Sequence, residues 1–274
     1  MPELPEVETT RLGVIDYVKG EKLLSINYSQ KKLRYPCDFL VDDLIGLTCL
    51  DISRRAKYLI FNFKHEKLLI HLGMSGSLRV EVTSNLKHKK HDHLTFSFTG
   101  GHSLIFHDPR RFGFVVRHTC AWKEKMALWG PEPLSEDFCS KGLFEKINQS
   151  SRAIKQAIMD QKVVVGVGNI YANEVLFKLG INPLKKACDL SHHEAEGLVS
   201  EIKSTLNLSI KQGGTTLRDF VSGKEKPGYF KQSLMVYGRE GKSCYHCDSL
   251  IERMVIGQRS TFYCPVCQPF STSS

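Results

Sequence analysis

Four cysteines near the C-terminus restrict the fold of this chain more than any other feature of its sequence. Cys244 and Cys247 form one CxxC pair, and Cys264 and Cys267 form a second pair after 16 intervening residues. Two such pairs can place four thiolates tetrahedrally around one zinc ion, and a four-cysteine site is structural because it leaves no coordination position open. A segment of about 40 residues buries too little surface to fold by core packing alone. We therefore predict a zinc-ribbon or zinc-finger domain at residues 232–274.

The other cysteines and the hydropathy pattern bear on the cellular compartment. Five more cysteines are scattered along the chain, which is typical of a reduced, cytosolic protein and not of a disulfide framework. They are Cys37, Cys49, Cys120, Cys139 and Cys188. No run of about 18 apolar residues could span a membrane, and no leader with a cleavage site is visible. We expect a cytoplasmic protein that has no membrane partner.

The charge distribution favours an anionic partner. The chain carries a net charge of +9, from 38 Lys and Arg against 29 Asp and Glu. Residues 1–130 carry +6, residues 131–210 carry −1 and residues 211–274 carry +4. A polyanion such as DNA or RNA that lies across the joint of two domains would match this pattern. Net charge alone leaves open a basic protein that binds no nucleic acid.

Residues 22–118 have the pattern of a β domain. Residues 94–98 alternate apolar and polar side chains, residues 99–102 have the composition of a turn, and residues 103–106 return as a second strand. Denser apolar runs such as residues 68–70 indicate buried strands. A helix is predicted ahead of the strands, because Pro5, Gly20 and an apolar face mark its start, end and buried side. That face comprises Leu4, Val7, Val14 and Val18.

These segments predict an α+β protein with several domains. An antiparallel β-sandwich with flanking helices is expected over residues 1–130. The proline-containing residues 130–134 then end the β pattern, and residues 135–212 are predicted to be helical. Ser191 and Glu194 form a capping box at the start of the last of these helices.

The first residues combine two groups that can do chemistry. If Met1 is removed, Pro2 becomes N-terminal and carries a secondary amine, and because α-amino groups titrate near ~7.7–8.0, about a tenth of it is neutral at pH 7. Such an amine can attack a sugar carbon and form an iminium, which is a covalent electron sink. Glu3 stands beside it as a proton donor. The same residue types are also common at helix starts that have no chemical role.

This N-terminus, together with motifs that continue to the last residues, resembles the bacterial formamidopyrimidine-DNA glycosylase family (Fpg or MutM). The resemblance covers essentially the whole chain. It implies a monomeric enzyme of base excision repair in the bacterial cytosol and nucleoid. The enzyme would excise oxidised purines (8-oxoguanine and formamidopyrimidines) from double-stranded DNA and cut lesion and abasic sites by β,δ-elimination. Pro2 would attack C1′ of the deoxyribose, and Glu3 would protonate the ring oxygen.

The resemblance also implies the domain order and two further catalytic residues. A helix–two-turn–helix domain is expected over residues 131–231, with a lesion-capping loop at about 213–231, ahead of the zinc finger. Lys57, at a strand start, and Arg259, at a hairpin tip between the cysteine pairs, would contact phosphate and assist proton transfer. By sequence alone, a lysine in the position of Lys57 is usually just exposed, and Arg259 is equally consistent with a solvated surface arginine.

Two turns match the family segments that hold a damaged duplex open. Met74 lies in a glycine-bracketed turn, and Arg110, Arg111 and Phe112 lie in a second turn that begins with Asp-Pro. Enzymes that act on a base must extrude it, and apolar wedges and arginines can fill the hole and hold the partner base. The resemblance assigns Met74, Arg110 and Phe112 to this task and Arg111 to phosphate. On its own, a methionine in a turn is more often a core residue.

Further DNA contacts are implied at four positions. His91 matches a DNA-contacting residue, although its His-Asp-His segment alone could also be a metal site or a capped strand end. Asn169 and Tyr171 follow a glycine-rich turn that opens a helix, where backbone amides can bind phosphate, and Lys155 is a further phosphate contact. One departure is that Ser150 stands where many relatives carry a basic residue, so that contact is lost or shifted to Arg152.

Two rival functions remain open from the sequence. An endonuclease VIII-type glycosylase would use the same chemistry on oxidised pyrimidines, although the N-terminal motif and the two turns favour the purine enzyme. A non-catalytic zinc-ribbon DNA-binding protein would explain the cysteines and the charge but not the Pro2–Glu3 pair.

Overall fold

A computed structural model describes residues 2–29, 32–35, 43–214 and 234–270. The chain divides into two compact units, one formed by Met1–Ala127 with Ile210–Lys231 and the other by Leu128–Ser209 with Gln232–Ser274. Nearly all of the predicted lesion-capping loop lies outside the described residues. Within the described part, no helix has both the length and the apolar character needed to cross a membrane.

The first unit opens with helix α1, Leu4–Val18, as predicted. Its four predicted face residues are almost completely buried, at 0–1% exposure. Eight strands follow: β1 Leu23–Tyr28, β2 Cys49–Arg55, β3 Tyr58–Phe63, β4 Lys67–His71, β5 Ser77–Val82, β6 Asp92–Phe98, β7 His102–His107 and β8 Phe114–Arg117. They form two four-stranded antiparallel sheets, of strand orders β1-β6-β7-β5 and β2-β3-β4-β8.

The two sheets and α1 enclose one apolar core. Phe61 and Ile70 of one sheet join Phe96 and Phe106 of the other in the same buried cluster, and Val7 of α1 belongs to it as well. Burial of apolar surface on this scale is the main favourable term in folding. The predicted antiparallel β-sandwich with a flanking helix is therefore confirmed.

Helix α2, Cys120–Ala127, was not predicted. Among its residues only Met126 is buried, so the sequence contains no apolar periodicity that would reveal the helix. Its Trp122 ring nevertheless stacks on Phe114 of β8, with 5.7 Å between the ring centroids. The same ring lies 5.9 Å from the ring of Tyr58, so the helix is held by the aromatic contacts of one tryptophan and not by an amphipathic face.

The second unit contains helices α3 Ser140–Ile147, α4 Ile154–Ile158 and α5 Asn169–Lys178, and most of α6 His192–Lys211. The predicted capping box precedes α6: the Ser191 hydroxyl accepts from the Glu194 amide at 3.2 Å, and the Glu194 carboxylate accepts from the Ser191 amide at 2.8 Å. Two short antiparallel strands, β9 Glu252–Ile256 and β10 Arg259–Tyr263, form a hairpin between the two cysteine pairs.

Buried polar contacts fix this hairpin to α5. The Asn173 side chain accepts from the Phe262 amide at 2.7 Å. Glu174, the next residue, accepts from the backbone amides of residues 235, 236 and 237 at 2.7–3.1 Å. Burial raises the pKa of Glu174, although these three amides and the charge of Lys178 oppose the shift. One turn of α5 thus carries the segment that leads into the cysteine cluster.

Candidate active site and nucleic-acid interface

The N-terminal residues are held by the start of α1. Pro2 is buried and Glu3 is only 2% exposed. The Glu6 carboxylate accepts from the Glu3 amide at 2.8 Å, and the Glu3 side chain accepts from the Glu6 amide in return. Glu6, 1% exposed, is a site residue that the sequence reasoning missed. The three-residue spacing of Glu3 and Glu6 is the capping-box signal that could have revealed it.

Lys57 lies in the two-residue turn between β2 and β3 and is half-buried. Its neighbour Ala56 is fully buried and has a φ of +54°, a left-handed conformation that is uncommon for a residue other than glycine. The Arg54 guanidinium stabilises this turn by donating to the Ala56 carbonyl at 2.9 Å. Arg54 also pairs with Glu8 of α1 at 2.9 Å. The structure therefore fixes the turn that carries Lys57 to the helix that carries Glu3.

The Glu8 carboxylate holds two arginines. Burial would raise its pKa, but the hydrogen bonds and charges of Arg11 and Arg54 outweigh that effect, and the pKa of Glu8 is lowered. Glu8 therefore stays ionised at neutral pH and keeps α1 attached to β2.

The Met74 turn lies directly after β4. Burial, together with the cations of Lys57 and Arg34, lowers the pKa of His71 to about 4. His71 is thus neutral at pH 7, and its Nδ1 accepts from the Gly73 amide at 3.1 Å. Met74 itself is half-buried. His71 was not among the predicted site residues.

The second predicted turn presents its side chains to solvent. Arg110 and Arg111 are exposed, and the Phe112 ring is 45% exposed. The guanidinium carbon of Arg110 lies 5.1 Å from the Phe112 ring centroid, which is within cation–π range. An exposed aromatic ring beside an arginine suits insertion into a base stack. The role of this turn in DNA binding stays a prediction.

The His-Asp-His segment is a structural junction with one outward-facing ring. Asp92 accepts from Arg79 and from His107; burial would raise the pKa of this carboxyl, but these bonds lower it to about 2. His93 is buried and bonds to the Asp108 carbonyl at 2.9 Å. His91 is half-buried and lies edge-on to His107. Among the described residues, these side chains form no group that could hold a metal.

Arg259 is the first residue of β10 and is exposed at the tip of the hairpin. Gly257 and Gln258 form the turn with φ values of +55° and +61°, the pattern of a tight type I′ hairpin. Arg152, the proposed replacement for a lost basic contact, pairs with Asp160 at 2.9 Å beside this tip. Arg152 is exposed, so the ion pair leaves it near solvent.

Two of the residues that were predicted to contact DNA are buried. Lys155 is 0% exposed, and its ammonium donates to the Ser260 carbonyl at 3.1 Å and to the Thr261 hydroxyl at 2.7 Å. Tyr171 is 0% exposed, and its hydroxyl lies 2.7 Å from that of Ser209. Both side chains are interior and hydrogen-bonded within the protein. Contact of these two residues with DNA stays a prediction.

Asn169 is the first residue of α5 and is half-buried. Its amide nitrogen donates to the same Ser260 carbonyl that Lys155 binds, at 2.9 Å. Its side-chain oxygen, Oδ1, is buried and has no hydrogen-bond partner among the described residues. Asn169 therefore remains a candidate for contact with a ligand, and it also holds the Arg259 hairpin in place.

The four cysteines form the predicted metal site. Their sulfur atoms all lie within 4.8 Å of one another, and Cys247 Sγ is 3.5 Å from Cys264 Sγ. Tetrahedral zinc with Zn–S bonds of about 2.3 Å requires sulfur atoms roughly 3.8 Å apart, so the cluster fits one structural zinc ion. The ring of His246, between the first two cysteines, packs against Phe177 at 4.9 Å.

Three family models match the chain in succession. They are the formamidopyrimidine-DNA glycosylase N-terminal domain at residues 1–115, the formamidopyrimidine-DNA glycosylase H2TH domain at residues 129–221, and the zinc finger found in FPG and IleRS at residues 241–269. The chain belongs to the formamidopyrimidine-DNA glycosylase family. The resemblance inferred from the sequence is thereby confirmed.

Relatives of this family match the chain over its full length. The formamidopyrimidine-DNA glycosylase of Laribacter hongkongensis is 48% identical over 272 residues, which are 98% of this chain and 100% of that protein. Wild-type Lactococcus lactis Fpg (MutM), solved with DNA that contains N7-benzyl-Fapy-dG, superposes with a TM-score of 0.89 at 35% identity and covers 98% of this chain and 100% of its own. Thermus thermophilus MutM gives 0.88 at 36% identity, with 99% and 100% covered.

Proposed function

We propose that this protein is a bifunctional DNA glycosylase and abasic-site lyase that excises oxidised purines. The observation that carries the proposal is the full-length match to formamidopyrimidine-DNA glycosylases at 48% identity. The N-terminal geometry supports it, because Pro2 is buried and Glu3 is held by Glu6 at the start of α1. Fpg of Lactococcus lactis has been solved with DNA carrying a Fapy-dG derivative and with an abasic site, and we extend both to this chain as substrates.

The reaction begins with the Pro2 amine, after removal of Met1. Its nitrogen forms a bond to C1′ of the damaged nucleotide, Glu3 protonates the ring oxygen so that the ring opens, and the base leaves. The resulting iminium acidifies the C2′ proton. Loss of that proton breaks the bond to the 3′ phosphate (β-elimination), and a second elimination breaks the bond to the 5′ phosphate (δ-elimination). A one-nucleoside gap remains.

Other residues hold the DNA for this chemistry. Lys57 and Arg259 bind phosphate and assist proton transfer, and Asn169, His91 and Arg111 add contacts to the backbone. Met74, Arg110 and Phe112 occupy the space that the extruded base leaves, which offsets the cost of unstacking, a few kcal/mol. The exposure of Arg110, Arg111, Phe112 and Arg259 supports these assignments.

The zinc ion supplies structure. Bound by Cys244, Cys247, Cys264 and Cys267, it stabilises a segment that is too small to fold by core burial. The residues that it holds carry the hairpin with Arg259 at its tip.

We further propose that the enzyme acts as a monomer on DNA in the bacterial cytoplasm and nucleoid. The bacterial origin of its relatives supports this location. We keep residues 1–130, 131–231 and 232–274 as the working domain boundaries.

Cleavage by the purified protein, with Pro2 as its first residue, tests this function. We expect cleavage of a duplex with 8-oxoguanine opposite cytosine, at a rate well above that for thymine glycol. Faster cleavage of thymine glycol would favour the endonuclease VIII type. DNA binding without cleavage of either duplex would favour a non-catalytic protein.

A protease-removable N-terminal extension tests the nucleophile. The extended protein should form no borohydride-trapped adduct with abasic DNA, and cutting it to expose Pro2 should restore trapping. Trapping that is unchanged by the extension would refute Pro2. The matched control carries the same extension at the C-terminus.

A further inference from the structure

Asp108 is a buried carboxylate to which the proposed mechanism gives no task. It stands at the start of the turn that carries Arg110, Arg111 and Phe112 and is 0% exposed. Burying a charged group is costly unless hydrogen bonds compensate it. The partners of this carboxylate therefore show which part of the structure it stabilises.

The Asp108 carboxylate binds both predicted DNA-facing turns. Its Oδ1 accepts from the Ser75 hydroxyl at 2.6 Å and from the Arg110 amide at 3.2 Å. Its Oδ2 accepts from the Gly113 amide at 2.8 Å. Ser75 follows Met74 directly, whereas Arg110 and Gly113 flank the tip of the second turn. The Ser75 hydroxyl also accepts from the Arg110 amide at 3.2 Å, so that serine and that carboxylate share one donor.

The backbones of the two turns are also in direct contact. A Cβ atom at Gly73 would lie 2.3 Å from the Gly113 nitrogen and 2.5 Å from the Phe112 carbonyl carbon. A Cβ atom at Gly113 would lie 2.8 Å from the His71 carbonyl oxygen. Both glycines are therefore required by close packing of backbone on backbone.

The second turn is strained, and Asp108 opposes that strain. Arg111 has a φ of +58°, which for a residue other than glycine is uncommon. The Asp108 carbonyl accepts from the Arg111 amide at 3.3 Å and from the His93 ring at 2.9 Å. Both the carboxylate and the carbonyl of one residue thus hold the turn in its conformation.

We propose that Asp108 is a positioning residue. Through Ser75 it joins the Met74 turn and the Arg110–Phe112 turn into one preformed unit that contacts the damaged base pair. This inference rests on the proposed function. Preorganisation lowers the cost of ordering side chains on binding. The two turns insert into the duplex together. The position of Arg110 is fixed before this residue contacts the partner base.

The test compares Ser75→Ala with Ser77→Ala. Both serines are buried, at 3% and 7% exposure, and Ser77 is the matched control on the adjoining strand β5. Each variant is assayed in single turnover on duplexes with 8-oxoguanine opposite cytosine or adenine. It is also assayed on a single strand that contains an abasic site, which has neither a base stack to open nor a partner base to read.

Ser75→Ala should lower excision opposite cytosine by about tenfold, as expected for a lost hydrogen bond to a charged group. The ratio of excision opposite cytosine to that opposite adenine should fall toward one. Borohydride trapping on the single strand should stay within about twofold of wild type, since the covalent chemistry is unchanged. Ser77→Ala should match wild type in all three assays.

Three results would overturn the role. They are an equal loss on the duplex and the single strand, no loss on either, and an unchanged ratio between cytosine and adenine. Asp108→Asn should have a larger effect than Ser75→Ala. Asparagine has only one side-chain oxygen, so when that oxygen accepts from Ser75, its NH₂ group cannot accept from the Gly113 amide. If that variant does not fold, Ser75→Ala decides. Failure of the wild-type protein to cleave any lesion duplex would instead refute the proposed function.

Discussion

Two regions place their basic residues in opposite ways: the Met74 and Arg110–Phe112 turns of the first unit, and the contact between α4 and β10 in the second unit. In the first, Arg110 and Arg111 are exposed on a turn that is held by an interior carboxylate, Asp108. In the second, the interior group is itself the cation, Lys155, and the exposed residue that it supports is Arg259. The difference shows that an interior basic residue can support the segment that carries an exposed one.

Among the changes that test this comparison, removal of zinc should have the largest effect on activity. Cys264→Ser, or chelation, should unfold the Arg259 hairpin and lower lesion cleavage by about 100-fold or more, because misplacing a contacting group by an ångström can cost that much. An unfolding transition of the zinc-free protein, monitored by circular dichroism, should show that the β-sandwich of the first unit stays folded without zinc. Cys139→Ser, at an exposed cysteine outside the cluster, is the control and should be neutral. Full activity in metal-free protein would contradict the account.

The pH dependence of stability tests the first unit. An unfolded histidine titrates near ~6.5, whereas folded His71 stays neutral until about pH 4. The unfolded state therefore binds more protons between these values. Stability linked to His71 is fully present above pH ~6.5 and is lost as the pH falls toward 4, by on the order of 3 kcal/mol in total.

Urea unfolding at pH 7 and pH 5 measures this loss. His71→Gln should lose less stability than wild type between the two pH values, and the exposed His88→Gln should behave like wild type. Equal losses in wild type and His71→Gln would show that His71 is not the neutral acceptor for Gly73.

The Lys155→Met variant tests whether Lys155 stabilises the hairpin from the interior or contacts a DNA phosphate. We expect a loss of about 1–3 kcal/mol in stability, because Thr261 and Ser260 lose a charged donor. The salt dependence of DNA binding should keep its slope, since no counterion is released by an interior group. Lys162→Met, at an exposed lysine, controls for the loss of charge. A slope reduced by about 1 would restore Lys155 as a phosphate contact.

Arg259→Ala should have the smallest effect on stability, but it should weaken the salt dependence of DNA binding. The side chain is exposed, so the unfolding free energy should change by less than about 0.5 kcal/mol. The slope of log K against log salt should fall by about 1, as expected for one phosphate contact. Arg253→Ala on the same hairpin is the control, and an equal effect of both variants would show a general charge contribution only.

The sequence was sufficient where a pattern repeats or where spacing has one chemical meaning. The α1 face, the β6–β7 hairpin and the four cysteines were predicted because periodicity and ligand spacing are local properties. Helix α2 was missed because the contacts of a single tryptophan, Trp122, hold it. The burial of Lys155 and Tyr171 was not visible in the sequence, because burial depends on residues distant in sequence, such as Thr261 and Ser209.

The organising residues inside the site were also invisible in the sequence. Asp108 and Ser75 are 33 positions apart, and nothing in either motif indicates that one hydroxyl joins them. His71 reads as an ordinary strand residue until the cations around it are known. Glu6 is the exception, since its spacing from Glu3 is a local signal that can be read directly.

In the proposed reaction, the Pro2 nitrogen forms the covalent bond to the damaged sugar. Mass spectrometry of the borohydride-reduced adduct, after protease digestion, tests it directly. We expect the cross-linked deoxyribose on the peptide that begins at Pro2. A cross-link on Lys57 or on any other lysine side chain would contradict it.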